Sequence, residues 1–225
     1  MSESRISSLR LWQLISPALP VGAYAYSQGL EYALEAGWLK TEADVLDWIQ
    51  GQLQHNLAHL DIPILQRIYQ AWQHKDHVRV NHWTGYLLAS REAAELKTED
   101  QNLGRALATL LIQLHIEQAK PYTQAQPAAF VTLLALAACR WQISLNEIAQ
   151  GYLWMWCENQ VAAAVKLVPL GQTAGQKMLL ALADAIPAAV DTGLQLNDDA
   201  IGMSAPGLGI ASALHETQYS RLFRS

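Results

Sequence analysis

Apolar residues recur at intervals of three and four along nearly the whole chain, the spacing that turns one face of a helix towards a core. Ile6, Leu9, Leu11, Trp12 and Ile15 open the pattern, and Pro17 and Pro20 break it, so a first helix should run into a rigid loop. From Thr41 the positions Val45, Leu46, Ile49, Leu53, Leu57 and Leu60 predict a long amphipathic helix capped by Thr41 with Asp44. Asp61-Ile62-Pro63 reads as a restart, because proline is tolerated in a first turn, and Leu65, Ile68, Tyr69 and Trp72 supply the buried face. Further helices are expected from about His82 to Lys97, and through Leu103, Leu107, Leu110, Leu111 and Leu114 until Pro121 ends that one.

Pro127 should open a helix over the apolar stretch Ala128 to Cys139. Ser144 with Glu147 matches a capping box, and the helix it starts, through Tyr152, Trp156, Gln160 and Ala163, should stop at Val168 because Pro169 disfavours helical geometry before it. Another helix follows Gly175 and meets Pro187. No run of alternating β-branched and aromatic residues is long enough for a paired sheet. The fold class is therefore all-α, a single-domain helical bundle. At Asn197 the composition changes: glycines 202, 207 and 209, Pro206 and small residues pack poorly as a regular amphipathic helix. Residues 1–196 are assigned to the helical domain and 197–225 to a Gly/Ala-rich arm and an interaction tail.

Composition narrows the function. With 51% hydrophobic and 16% charged residues in 225, the chain can bury a substantial core, while its mean hydropathy of +0.04 is far from that of a membrane protein. A net charge of −5 and a pI near 5.8 argue against nucleic acid, which needs a basic face. Ala128 to Cys139 falls short of the roughly 18 apolar residues that span a bilayer, and the first residues lack the apolar core of a signal peptide. A cytoplasmic protein without a membrane partner is expected. Cys139 and Cys157, both in apolar helical context, should be reduced and buried.

Motifs for chemistry are scarce. The chain has no GxxxxGK[ST] phosphate loop, no GxSxG elbow, no HExxH pair and no cysteines at zinc spacing. His55 and His59, four apart with Asp61 just beyond, could share a helix face, but they lie off the Leu53, Leu57, Leu60 stripe and read more simply as solvent-facing. No metal residues, cofactor or catalytic residues are assigned. The run Arg91, Glu92, Glu95, Lys97, Glu99, Asp100 carries both signs, with Arg91 and Glu95 at helical spacing. It reads as a solvated face, with a polar contact surface as the functional alternative. Lys166 sits in the apolar string VAAAVKLVPL, where it either snorkels to solvent or needs a partner. A helical enzyme with a pocket lined by Trp and Tyr and polarised by a histidine such as His115 is a further, weaker alternative.

The last eleven residues, HETQYSRLFRS, differ from the rest. Tyr219, Leu222 and Phe223 stand at i, i+3 and i+4, so one helical turn would align them, with Arg221 and Arg224 available for charge-assisted bonds. So short a segment is marginal as an isolated helix. Docking on another protein, fraying, and packing back on its own domain are all open on the residues alone.

Several segments together resemble the urease accessory protein UreF family: SPALPVGAYAYSQGLE at Ser16 to Glu31, EAGW at Glu35 to Trp38, ENQVAAAVKLVPLGQTAGQ at Glu158 to Gln176, and the terminal HETQYSRLFRS. The resemblance implies an all-α homodimer that acts as a scaffold and not as an enzyme. It binds the accessory protein UreD, called UreH in some systems, and recruits the GTPase UreG so that nickel is inserted into apo-urease. It also implies that His215, Glu216, Tyr219, Ser220, Arg221, Leu222 and Phe223 form a tail that orders on the UreD-type partner, and that Lys166 acts in the GTPase complex. An alternative within the family is a regulator of GTP hydrolysis, with Lys166 or Arg221 reaching the nucleotide in trans. Pro20, Gly22, Tyr24, Ser27, Gln28 and Gly29 match the N-terminal motif, expected to be mainly a structural loop and helix start.

Overall fold

The computed structural model describes residues 2–168, 170–203 and 205–225, with side chains from residue 6 onward. Among them no strand occurs, and the architecture is all-α. The first helix, α1 (Ser2–Ile15), ends before Pro17 as the sequence predicts. A loop with one 3-10 turn, Ala23–Ala25, leads to α2 (Leu30–Glu35). The expected capping box is present at α3 (Glu42–Gly51): the Asp44 N–H donates to the Thr41 hydroxyl, and the Asp44 carboxylate accepts from the Thr41 N–H.

The helix that begins at Thr41 does not stay regular. After Gly51 it widens into a π-helical segment, Gln52–Leu57. α4 (Asp61–Gln73) then restarts at the predicted place, with Pro63 in its first turn. The expected helix from His82 to Lys97 is instead two: α5 (His77–Ala89) and α6 (Ala94–Gln113), separated at 90–93. The physical reason is Arg91, whose guanidinium turns inward to two buried carboxylates instead of following a helical surface.

Pro121 lies inside a 3-10 turn, Glu117–Thr123, after which α7 (Phe130–Arg140) is almost wholly buried. α8 (Leu145–Leu167) carries the second predicted capping box, Ser144 with Glu147, and Val168 closes it; Pro169 lies outside the described residues. α9 (Gln172–Gln195) starts before Gly175 and passes through Pro187 without ending. By length and composition alone it is also apolar enough to cross a membrane, and 39% of that window is buried inside the protein.

The core centres on α4, which packs against α5, α7, α8 and α9. Gly193 makes the α9 approach possible: a Cβ there would lie 2.6 Å from the Ala58 carbonyl oxygen. α1 lies along α8, and α6 along α7. The segment read as an irregular arm contains a further helix, α10 (Pro206–His215), packed on α2 and α6. Pro206 opens it, the helix position where a missing N–H costs nothing.

Candidate interaction site and the C-terminal strap

Residues 216–225 form no helix and fold back as a strap over α2 and α6. Four glutamates hold it, among them Glu35 at the end of α2, which accepts from the Gln218 amide. Glu31 of α2 is buried and accepts the Leu222 N–H (2.7 Å) and the Phe223 N–H (2.9 Å), while His215 Nε2 lies 3.1 Å from the same carboxylate. Glu95 meets His215 Nδ1 at 2.7 Å and accepts from the Arg221 guanidinium at 2.5 Å. Glu99, one turn further along α6, accepts the Ser225 hydroxyl at 2.8 Å. Backbone bonds complete the seam: the Arg224 N–H donates to the Ala25 carbonyl, and the Ser225 backbone oxygen accepts from the Ser27 N–H, the Gln28 N–H and the Ser27 hydroxyl. Charge-assisted bonds from backbone N–H to carboxylate are among the stronger ones.

The N-terminal loop is the other half of this seam. Gly29 adopts φ +75°, and a Cβ there would lie 3.0 Å from the Ala211 Cβ and 3.1 Å from Ser212 N, so glycine lets α10 sit directly on the start of α2. Beneath it, Gln28 accepts from Trp156 Nε1 (2.7 Å) and donates to Glu99 (2.8 Å). Burial pushes the Glu99 carboxyl up to about 7, against the opposing bonds from Gln28 and Ser225. Asp100 beside it accepts the Phe130 N–H and the Arg91 guanidinium, which also grips Asp61 through two bonds of 2.7 and 3.0 Å. The Tyr152 hydroxyl donates to Asp61 at 2.7 Å. A cavity of about 90 Å³ lies among Gln28, Arg91, Glu99, Asp100, Tyr152 and Trp156. A wider groove of about 370 Å³ runs between the loop at Pro17 and Tyr24, Glu158 and Lys166 of α8, and Gln176 of α9.

This arrangement alters several expectations. Of the three residues expected to align on one helical turn, Phe223 is 5% exposed, whereas Leu222 is 66% exposed and Tyr219 is fully exposed. His215 is wholly buried, Arg221 pairs with Glu95, Glu216 accepts the Glu95 N–H, and Ser220 accepts from Gln218 through its carbonyl. Lys166 is exposed, with its ammonium 5.7 Å above the Phe223 ring. The charge run is not a solvated face: Glu99 and Asp100 are buried, and Arg91 pairs with Asp61 and Asp100, not with Glu95. A signal for this was present, since positions 99 and 100 fall on the apolar stripe Leu96, Leu103, Leu107.

His55 is exposed, His59 bonds the Gln54 carbonyl, and among the described residues no group of three His, Cys, Asp or Glu side chains is placed to hold a metal ion. His115 is exposed at the end of α6. Cys157 is buried and Cys139 half-buried; both are free thiols, pushed up to about 12 by desolvation. Glu31, which accepts two successive backbone N–H groups of the strap, was not singled out in the sequence, because one carboxylate beside Leu30 and Ala33 looks like any helix surface.

The UreF family model matches residues 39–183. A urease accessory protein UreF of Alkalilimnicola ehrlichii is 56% identical over 220 residues, covering 98% of this chain and 96% of its own length. Proteins of the same name from Teredinibacter turnerae and Pseudomonas putida are 48% identical over 217 residues and 46% identical over 222, each covering at least 96% of both chains. The family match stops short of the loop at 16–31 and of the strap, whereas the alignments with these relatives cover nearly the whole chain.

Proposed function

The chain belongs to the UreF family of urease accessory proteins, and from that premise we propose that it is a non-enzymatic scaffold of urease maturation in the cytoplasm, binding a UreD-type (UreH-type) accessory protein and recruiting a UreG-type GTPase so that nickel reaches apo-urease. One observation carries the docking part. The strap is fixed by its backbone, by Phe223 and by the polar side chains of Gln218, Arg221 and Ser225, which leaves Tyr219 and Leu222 standing outward with no apolar cover. α10 adds Ile210 and Leu214, exposed one turn apart. Exposed large apolar side chains grouped on one short segment favour a protein partner. The UreD-type protein is assigned to this surface.

The partner therefore meets a preformed edge, and the ordering entropy of a free tail is reduced. Lys166 and Glu158 border the groove between α8, α9 and the N-terminal loop, and this second surface is assigned to the GTPase. Any regulatory contact with the GTPase falls to Lys166, which is exposed, and not to Arg221, which is engaged with Glu95. A homodimer is assigned to a third surface, the outer face of α1. There Ile6, Leu9 and Trp12 are exposed at intervals of three, beside a groove formed by Ile15, Trp154, Ile186 and Pro187.

The test is a double substitution, Tyr219→Ala with Leu222→Ala, in the full chain. Neither side chain is packed, so the thermal midpoint should stay unchanged while affinity for the UreD-type protein falls at least roughly tenfold, the loss of about 1.4 kcal/mol. Capture of that partner at wild-type strength would refute the assignment.

A further inference from the structure

We propose that the strap is a proton-coupled latch: Glu99, enclosed between the Ser225 hydroxyl, the Gln28 amide and the interior cavity, takes up a proton from solvent when residues 216–225 dock and returns it when they leave. This goes beyond the scaffold function and holds whichever partner the strap meets. Glu99 is 4% exposed, and one of its two bonds comes from the strap itself. The same two loop residues, Ser27 and Gln28, bind the backbone of Ser225. Lifting the strap therefore removes a bond from Glu99, loosens the loop that supplies the other, and admits water to a carboxyl that had little.

The charged and titratable surroundings are mixed. On α6 itself, Asp100 lies beside Glu99 and Glu95 one turn before it; the connection before α6 brings Arg91, α4 brings Asp61 behind Arg91, and α8 brings Tyr152. α2 contributes Glu31, α10 contributes His215 between Glu31 and Glu95, and the strap contributes Arg221 on Glu95. Arg91 acts to hold the Glu99 carboxyl down, but it is shared by Asp61 and Asp100, and Asp100 acts in the opposite sense; burial dominates.

The sign follows from linkage. Docked, the carboxyl titrates near 7; opened to water it returns towards its ordinary 4.5. The docked strap thus binds the proton more tightly. Its stabilisation is full below the ordinary carboxylate value, is lost as pH rises through about 7, and is constant above that.

Phe130 and Phe223 are the chain's two phenylalanines, one in the core and one in the strap. Fluorine NMR of the full chain labelled with 4-fluorophenylalanine therefore gives one signal for the body and one for the latch. Between about pH 5.5 and about pH 8 the ratio of released to docked Phe223 should rise on the order of tenfold while Phe130 keeps its folded signal. Glu99→Gln, which is neutral throughout, should flatten that dependence. A wild-type Phe223 signal indifferent to pH would overturn the proposal, and so would a full dependence persisting in Glu99→Gln, which would point to His215. Should Glu99→Gln lose the folded Phe130 signal, Ser225→Ala serves instead: it should raise the released fraction at both pH values, and an unchanged fraction would also overturn the latch.

Discussion

Arg91 shows how much a single side chain can organise. Its guanidinium makes four bonds to two carboxylates, and Asp61 has no exposure at all. Burial alone would drive protons off the guanidinium; the two aspartates more than offset this and hold its pKa well above the ordinary arginine value. Replacing it with alanine leaves two carboxylates in a site built around a cation, so Arg91→Ala should cost about 3–5 kcal/mol, read as a lower urea midpoint with little change in slope. An Arg91→Ala protein as stable as wild type would mean the cavity admits enough water to solvate both aspartates. None of this pairing was legible in the sequence, where Arg91 and Glu95 looked like neighbours on one helix. Spacing reports only local partners, and Asp61 lies 30 residues away.

At the scale of elements, the sequence speaks best where the determinants are local. Both capping boxes form as written, because each needs only a side chain and the backbone three residues on. It speaks poorly where tertiary packing overrides a local rule: α9 continues past Pro187, and α10 forms in a stretch rich in glycine. The glycines of the N-terminal loop separate the two kinds of cause. Gly22 and Gly29 share a left-handed backbone, at φ +83° and +75°, but a Cβ at Gly22 would meet open space and one at Gly29 would meet α10. Gly22→Ala should therefore cost only the conformational penalty, about 1–2 kcal/mol. Gly29→Ala should cost a further 1 kcal/mol or so from crowding, and should speed amide exchange across residues 206–225 before the rest of the chain. Equal losses in stability for the two variants would show that α10 gives way freely.

The whole molecule is a helical body whose polar interior ties its ends together, since Glu31 and His215 lie 184 residues apart and Tyr152 and Asp61 lie 91 apart. Such pairings are invisible to periodicity, which is why an all-α bundle was legible and the strap's receptor was not. Among the outward apolar side chains two clusters stand apart: Tyr219, Leu222, Ile210 and Leu214 in the C-terminal segment, and Ile6, Leu9 and Trp12 on the first helix. If the α1 face joins two copies, the interface repeats the same patch on both subunits, and each Trp12 can fill the groove beside the other's Trp154. Trp12→Ala combined with Leu9→Ser should then shift the protein from dimer to monomer in light scattering at micromolar concentration. Both residues are already solvent-exposed, so the thermal midpoint of the monomer should fall only by what dimerisation contributed, an amount that vanishes on dilution of the wild type. Binding of the UreD-type partner through Tyr219 and Leu222 should survive with its intrinsic affinity, losing only the avidity of a paired scaffold. A variant that remains dimeric would move the interface off α1, while one that loses both properties together would mean that the two surfaces are coupled through the body and not independent.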